Sequence, residues 1–224
     1  RSPSTRIDLS TCFQKKTFIE NTNMSVKIEV GHGLDGGITK IPQSSKGVMT
    51  LGPLRLLGWL ETRLGVELPE VSFTVRMLQY LQCLKECDSE QRFYHQSLMQ
   101  DELGVARELL QRRDQWYEAG WDGGTLSADV SDRLRDLVEV ETLAGERVAP
   151  GTGQRIRRVI AALSSQSSDI SLVLLDEPET FAKVWQQVFS ILNADARSFA
   201  LSVNGAPGSD LAHLQSALLN TETR

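Results

Sequence analysis

The stretch Ser171–Glu179 (SLVLLDEPE) decides the fold, because a run of apolar residues leads directly into Asp176 and Glu177. The apolar part, Leu172–Leu175, ends at a turn signal and predicts a strand that is buried on both faces. Nucleotide-hydrolysing P-loop proteins hold magnesium and orient water with acidic residues at the ends of such strands. The first hypothesis is therefore an α/β ATPase.

A glycine-rich loop near the start of the chain argues against an active ATPase. Val26–Val30 alternates apolar and polar residues and predicts a strand, and Gly31 and Gly36 follow it at Walker A separation. However, Gly37 stands where that motif needs its lysine, and Ile38 stands at its hydroxyl position. The favoured interpretation is a plain glycine-rich turn or a phosphate loop that has lost its chemistry. The nucleotide-binding candidates that remain are Gly31, Gly36, Asp176 and Glu177. Without the lysine, we predict that the carboxylates of Asp176 and Glu177 instead cap the N-terminus of the helix that follows the strand.

The chain between these two strands is predicted to be helical. Caps, stop signals and apolar spacing place helices near residues 53–64, 73–87, 101–119, 131–143 and 154–163. After the acidic strand we expect a helix from about Thr180 to Leu192, a strand at Ser198–Val203 and a last helix at Asp210–Leu219. This order predicts a parallel, right-handed crossover. The expected apolar face of the second helix contains Val75, Leu78, Leu81 (or Met77) and Leu84.

The predicted fold class is thus α/β, a parallel P-loop-like sheet with a large helical insertion at about 52–165. The domain would span residues 24–224, with Met24 as the natural start. Residues 1–23 are polar and lack periodicity, so they are predicted to be a disordered arm or an extension.

Composition limits the possible partners. The net charge is −5, so contact with DNA requires a local basic patch. No apolar run approaches the roughly 20 residues that cross a bilayer, so no membrane partner is expected. The three cysteines favour a reducing compartment, and the predicted location is cytoplasmic. Cys83 and Cys87 share a helix face without a second ligand pair, so we predict packing and neither a metal nor a cofactor.

Six arginines in the helical segments are candidates for DNA contact. Solvated surface is the favoured interpretation for the three in the last helix of the block. Arg113 lies near an apolar stripe, and the favoured explanation for it is a half-buried arginine that snorkels to the surface or pairs with a carboxylate. The six candidates are Arg107, Arg112, Arg113, Arg155, Arg157 and Arg158.

Three segments resemble the N-terminal region of bacterial AddB-like proteins of the PD-(D/E)XK nuclease family. They are GPLRLLGWLETRLGVELP (52–69), FYHQSLMQDELGVARELLQRRDQWYEAGWDG (93–123) and LLDEPETFAKVWQQVFSIL (174–192). The middle segment is the most specific. Its matching positions are Phe93, Tyr94, Ser97, Asp101, Ala106, Leu109, Leu110, Arg113, Asp114, Ala119, Gly120 and Trp121.

The resemblance implies a helicase-like domain that has lost ATPase function and carries a helical insertion. It also implies a role in DNA double-strand-break repair, with DNA ends and a motor helicase subunit as partners. The family's nuclease site and iron–sulfur cluster would lie beyond residue 224, so the chain would contain no complete active site and no catalytic residue.

Two other functions remain open. The order of GTGQRIRRVIAALSS (151–165) and LLDEP is similar to an ABC-type ATPase, although the serine–glycine signature and the loop lysine are missing. The chain is then an ATPase remnant. A non-enzymatic protein-interaction module is the other alternative.

Overall fold

A four-stranded parallel sheet organises the α/β fold in the computed structural model, which describes residues 26–35, 47–124, 130–165, 169–197 and 208–221. The strand order across the sheet is β2-β1-β3-β4, and each neighbouring pair is parallel. The strands are β1 (Val26–Val30), β2 (Val48–Leu51), β3 (Ile170–Leu174) and β4 (Asp195–Ala196). The predicted α/β class is confirmed.

The two strands predicted from apolar pattern, β1 and β3, pair along their whole lengths at the centre of the sheet. Val26 lies opposite Ile170 and Val30 opposite Leu174. The acidic strand therefore forms as expected, although it begins at Ile170. Residues Val48–Leu51, for which no strand was predicted, pair with β1 and form an edge of the sheet. The expected strand Ser198–Val203 and the expected arm at 1–23 lie outside the described residues.

Eight α-helices occur in the described ranges, and six of them lie between β2 and β3. The six are α1 (Pro53–Leu64), α2 (Phe73–Glu86), α3 (His95–Gln100), α4 (Glu102–Glu118), α5 (Asp132–Arg147) and α6 (Thr152–Ser165). The other two are α7 (Lys183–Ile191) and α8 (Asp210–Thr221). Short 3-10 helices occupy His32–Leu34 and Pro178–Thr180.

Local capping chemistry fixes the helix ends. Ser72 accepts a hydrogen bond from the backbone N–H of Val75, and Asp101 accepts one from that of Gly104. Gly65 ends α1 in the left-handed conformation at φ 67°, which costs a residue without Cβ very little. These ends agree with the sequence prediction.

The predicted apolar face of α2 is partly correct: Leu81 and Leu84 are buried as expected, but the two other residues assigned to that face are not. Val75 and Leu78 are 46% and 48% exposed, whereas Met77, Tyr80 and Leu84 are buried. The inward face includes Tyr80, which is 2% exposed and was not expected there.

Two groups of buried side chains hold the fold together. One lies around the sheet and combines strand residues such as Ile28 and Leu172 with residues of α1, α6 and α7. The other lies among α2, α3, α4 and α5 and includes Leu84 and Leu110. The two groups are joined where helix α4 packs on α6. The two backbones approach closely there because Gly153 of α6 has no Cβ. Within the described ranges, no helix is long and apolar enough to cross a membrane.

Candidate functional site

The carboxyl ends of β1 and β3 bring two of the predicted nucleotide-binding residues together, Gly31 and Asp176. The backbone N–H of His32, the residue after Gly31, donates a hydrogen bond of 2.7 Å to Oδ2 of Asp176. A Cβ on Gly31 would lie 3.3 Å from that same oxygen, so the glycine keeps the loop close to the acidic residue. The sequence prediction that Gly31 and Asp176 share one site is therefore consistent with their positions.

The side chain of His32 covers this strand end. Its ring stacks on Phe181 with centroids 3.9 Å apart and an interplanar angle of 17°. Its Nε2 lies 3.2 Å from Oγ1 of Thr180, which in turn donates to the carbonyl oxygen of Glu177. The turn after β3 and the turn after β1 are thus held together by a ring stack and by polar contacts.

A second carboxylate fixes the other side of the loop. Asp35 accepts hydrogen bonds from the backbone N–H groups of Leu54, at 2.8 Å, and Arg55, at 3.1 Å. It therefore caps the first turn of α1 from a distant position in the sequence. Gly52 is required beside it, because a Cβ there would lie 2.2 Å from the Asp35 carboxylate.

The prediction that Asp176 and Glu177 cap the helix after β3 is wrong. Asp176 accepts its hydrogen bond from the loop after β1, and Glu177 is exposed without a side-chain capping bond. Helix α7 begins at Lys183 after Ala182, which makes no side-chain capping bond. The backbone N–H of His32 is nearby in space and unpaired within its own turn, which explains why it captures the carboxylate. Gly36 lies outside the described residues.

Arg113 cannot contact DNA in this fold. Its side chain is 1% exposed, and its Nε and Nη2 donate to the two carboxylate oxygens of Glu141 at 2.6 and 2.7 Å. Its Nη1 donates to Oε1 of Gln154, and the hydroxyl of Tyr117 donates to Glu141 at 2.8 Å. The alternative interpretation of Arg113, pairing with a carboxylate, is the correct one, and this arginine is removed from the DNA candidates.

The electrostatics of this buried group favour the ion pair. Burial alone would lower the pKa of Arg113, but its hydrogen bonds and charge interaction with Glu141 outweigh that effect and raise it. Burial and the hydrogen bond to Glu141 raise the pKa of Tyr117, which keeps its phenol protonated. The group joins α4, α5 and α6, so its role is to fix the packing of three helices.

The other arginine candidates differ in accessibility. Arg155 is half-buried and donates from Nε to Glu61 at 2.8 Å, and Arg157 is half-buried and donates to the carbonyl oxygen of Gly120. The remaining three candidates are exposed and available to a phosphate. They are Arg107, Arg112 and Arg158.

Two buried ion pairs were not found from the sequence. Glu61 is 2% exposed on α1, and Arg76 is 7% exposed on α2. Arg76 donates to both carboxylate oxygens of Asp114, at 2.9 and 2.6 Å. The sequence shows only that a charged residue lies at an inward position of a helix. The oppositely charged residue that pairs with it lies on another helix and cannot be identified from the sequence.

Cys83 is buried and Cys87 half-buried, and neither forms a disulfide. Burial raises the pKa of both thiols, so both stay protonated near neutral pH. Among the residues with described positions, no group of three or more histidine, cysteine or acidic side chains is placed to hold a metal ion.

A scan against protein-family models finds no match to this chain, and a search of curated proteins finds none either.

Proposed function

We propose that the chain is the N-terminal, non-catalytic, helicase-like part of a bacterial DNA double-strand-break repair helicase–nuclease subunit. In this proposal the sheet is P-loop-like, the helices α1–α6 are the insertion, and the domain contributes a scaffold and DNA-end contacts. A motor helicase subunit is the expected partner.

The contact between His32 and Asp176 carries the non-catalytic part of the proposal. In a working phosphate loop, backbone N–H groups after the first strand donate to the phosphates of the nucleotide. Here the N–H of His32 donates to a carboxylate of the chain itself. A carboxylate at that position also repels phosphate by charge. This arrangement supports a loop that holds the sheet together without binding nucleotide.

The segment that resembles AddB-like proteins supports a scaffold role. Its residues occupy structural positions: Tyr94 is buried, Asp101 caps α4, and Asp114 pairs with Arg76. Several residues of the segment therefore determine helix packing. This favours a shared fold for the helical block, and it leaves DNA contact to exposed side chains such as Arg107 and Arg158.

Nucleotide binding is tested by thermal denaturation of the whole chain with and without about 1 mM Mg–ATP. A ligand present at 100 times its Kd stabilises a folded protein by about 2.7 kcal/mol, which is several degrees in Tm. We expect no shift. A clear rise in Tm would contradict the proposal and would favour the ABC-type ATPase remnant.

DNA-end binding is tested by fluorescence anisotropy with a blunt duplex between about 50 and 200 mM salt. We expect affinity to fall steeply as salt rises, and Arg107→Gln and Arg158→Gln should each reduce the salt slope by about 1. Arg63→Gln on α1 is the charge-matched control. No binding at about 50 mM salt, or equal effects of all three variants, would count against specific DNA-end contacts.

A protein-interaction module is the second candidate, and the outer face of α2 favours it. Val75 and Leu78 lie one helical turn apart and are each nearly half exposed. Two results together would favour this candidate over the repair function. A protein partner should co-purify with the unmodified chain but not with Leu78→Glu, and the unmodified chain should fail to bind blunt duplexes.

A further inference from the structure

A groove between α4 and α5 combines aromatic rings with arginines. Its volume is about 410 Å³, within the range of clefts that bind small ligands. Phe93 and Trp116 contribute aromatic rings, and Arg112 and Arg133 contribute the positive charges. Among the described lining residues Glu108 is the acidic one, so the lining carries a net positive charge in a protein whose net charge is −5.

The aromatic rings of the groove are held in place by neighbouring rings. Phe93 is 37% exposed and meets buried Tyr94 edge-on, with centroids 5.3 Å apart at 86°. Trp116 is half-buried and meets Trp121 edge-on, with centroids 5.7 Å apart at 87°. Edge-to-face neighbours orient both rings without an added ligand. Phe93 and Trp116 are therefore pre-positioned for stacking.

The two arginines are available to an anionic ligand. The guanidinium of Arg133 lies 5.8 Å from the ring centroid of Phe93. Among the described residues, Arg112 forms its ion pair with Glu108, four residues earlier on α4, and both side chains are more than half exposed. An exposed pair of this kind contributes little, so a phosphate can replace the carboxylate at small cost.

We propose that this groove binds a single DNA strand, with bases stacked on Phe93 and Trp116 and backbone phosphates held by Arg112 and Arg133. Every base has a π-face, and its phosphate supplies the charge that the arginines need. A duplex keeps its bases inside and cannot use the rings. The proposal rests on the DNA-end role proposed above, because processing of an end supplies an unpaired strand.

The test uses anisotropy of a labelled oligothymidylate of about a dozen nucleotides with the whole chain. Phe93→Leu keeps apolar volume but removes the ring face, and we expect about a tenfold loss of affinity. Arg133→Gln should lower affinity and reduce the salt slope by about 1. Arg135→Gln is the matched control, since Arg135 lies on the same helix, is exposed and does not line the groove. It should leave affinity unchanged.

Tryptophan fluorescence gives a second readout that locates the strand. Oligothymidylate should quench the emission, and Trp116→Phe should remove most of the quenching while Trp59→Phe, on α1, should not. Three results would each overturn the groove assignment. They are equal losses of affinity in Arg133→Gln and Arg135→Gln, unchanged affinity in Phe93→Leu, and quenching that persists in Trp116→Phe. A dimer that becomes monomeric in Phe93→Leu would also overturn it, because a second copy would then occupy the groove.

The same titrations separate this proposal from the DNA-end function. One outcome is that the unmodified chain binds blunt duplex and the groove variants bind the single strand with unchanged affinity. This outcome would overturn the groove assignment and leave the proposed DNA-end function intact. Groove-dependent binding of the single strand without binding of blunt duplex would support the groove and overturn the DNA-end role.

Discussion

Replacing Arg113 with methionine should destabilise the protein by about 3–5 kcal/mol, because the carboxylate of Glu141 would stay buried without its cation. Glu141 is 4% exposed and receives two of its hydrogen bonds from Arg113. Of the donors in the described part of the chain, the hydroxyl of Tyr117 would remain. Methionine fills much of the volume of arginine, so the loss measures the charge and hydrogen bonds more than a cavity.

The magnitude can be tested with a neighbouring arginine as control. Arg112 precedes Arg113 on α4 but is 58% exposed and pairs with Glu108 at the surface. Such pairs contribute a few tenths of a kcal/mol, so Arg112→Met should change the free energy of unfolding by about 0.5 kcal/mol or less. Chemical denaturation with an unchanged m-value would compare the two variants directly.

The double variant Arg113→Met/Glu141→Leu distinguishes a required ion pair from a required shape. Apolar residues of similar size often replace a buried pair without loss, so the double variant should be more stable than Arg113→Met alone. A cost below about 1 kcal/mol for Arg113→Met would refute the reasoning, since it would mean that solvent reaches the pair. A strong effect of Arg113→Met on the salt slope of DNA binding in folded protein would refute its removal from the DNA candidates.

Three further changes test other contacts. Gly153→Ala should cost about 1–3 kcal/mol in chemical denaturation, because its Cβ would lie 2.7 Å from the backbone of Tyr117 in α4. Gly58→Ala, where a Cβ meets nothing within 4 Å, should be neutral or stabilise α1 by up to about 1 kcal/mol; a larger loss there than at Gly153 would contradict the packing argument. Asp35→Ala should cost about 1 kcal/mol by removing the cap of α1, with Asp35→Asn closer to the unmodified protein, and equal costs would refute a capping role. Mass spectrometry after treatment with a thiol reagent near pH 8 should find Cys83 unmodified until denaturant is added; rapid modification of folded protein would show that the thiol is not buried.

Features set by neighbouring residues were predictable from the sequence. The apolar run before Asp176 forms β3, and the caps at Ser72 and Asp101 begin the helices that they predicted. The two caps depend on contacts within three positions of the chain, and the apolar run is visible in the local sequence even though the strand itself pairs with β1 and β4. The strand β2 was missed because Val48–Leu51 is short, and its stability comes from pairing with β1 at the sheet edge.

Long-range partners could not be predicted. Arg113 pairs with Glu141 at a separation of 28 residues, and Arg155 pairs with Glu61 at a separation of 94. Helical periodicity places each charge on a face, but the crossing of helices decides which opposite charge that face meets. For the same reason the sequence could not distinguish Arg113, which is buried and paired, from its neighbour Arg112, which is exposed. Both were therefore predicted as DNA contacts.

The proposed loss of nucleotide binding has more causes than the missing lysine. A lysine would add charge near the strand ends, but the N–H of His32 would still donate to Asp176, and the His32 ring would still stack on Phe181. A phosphate would have to displace both contacts and approach a carboxylate. Restoring the lysine alone should therefore not restore binding. The acidic residue that first indicated an ATPase serves here as the hydrogen-bond acceptor that closes the loop.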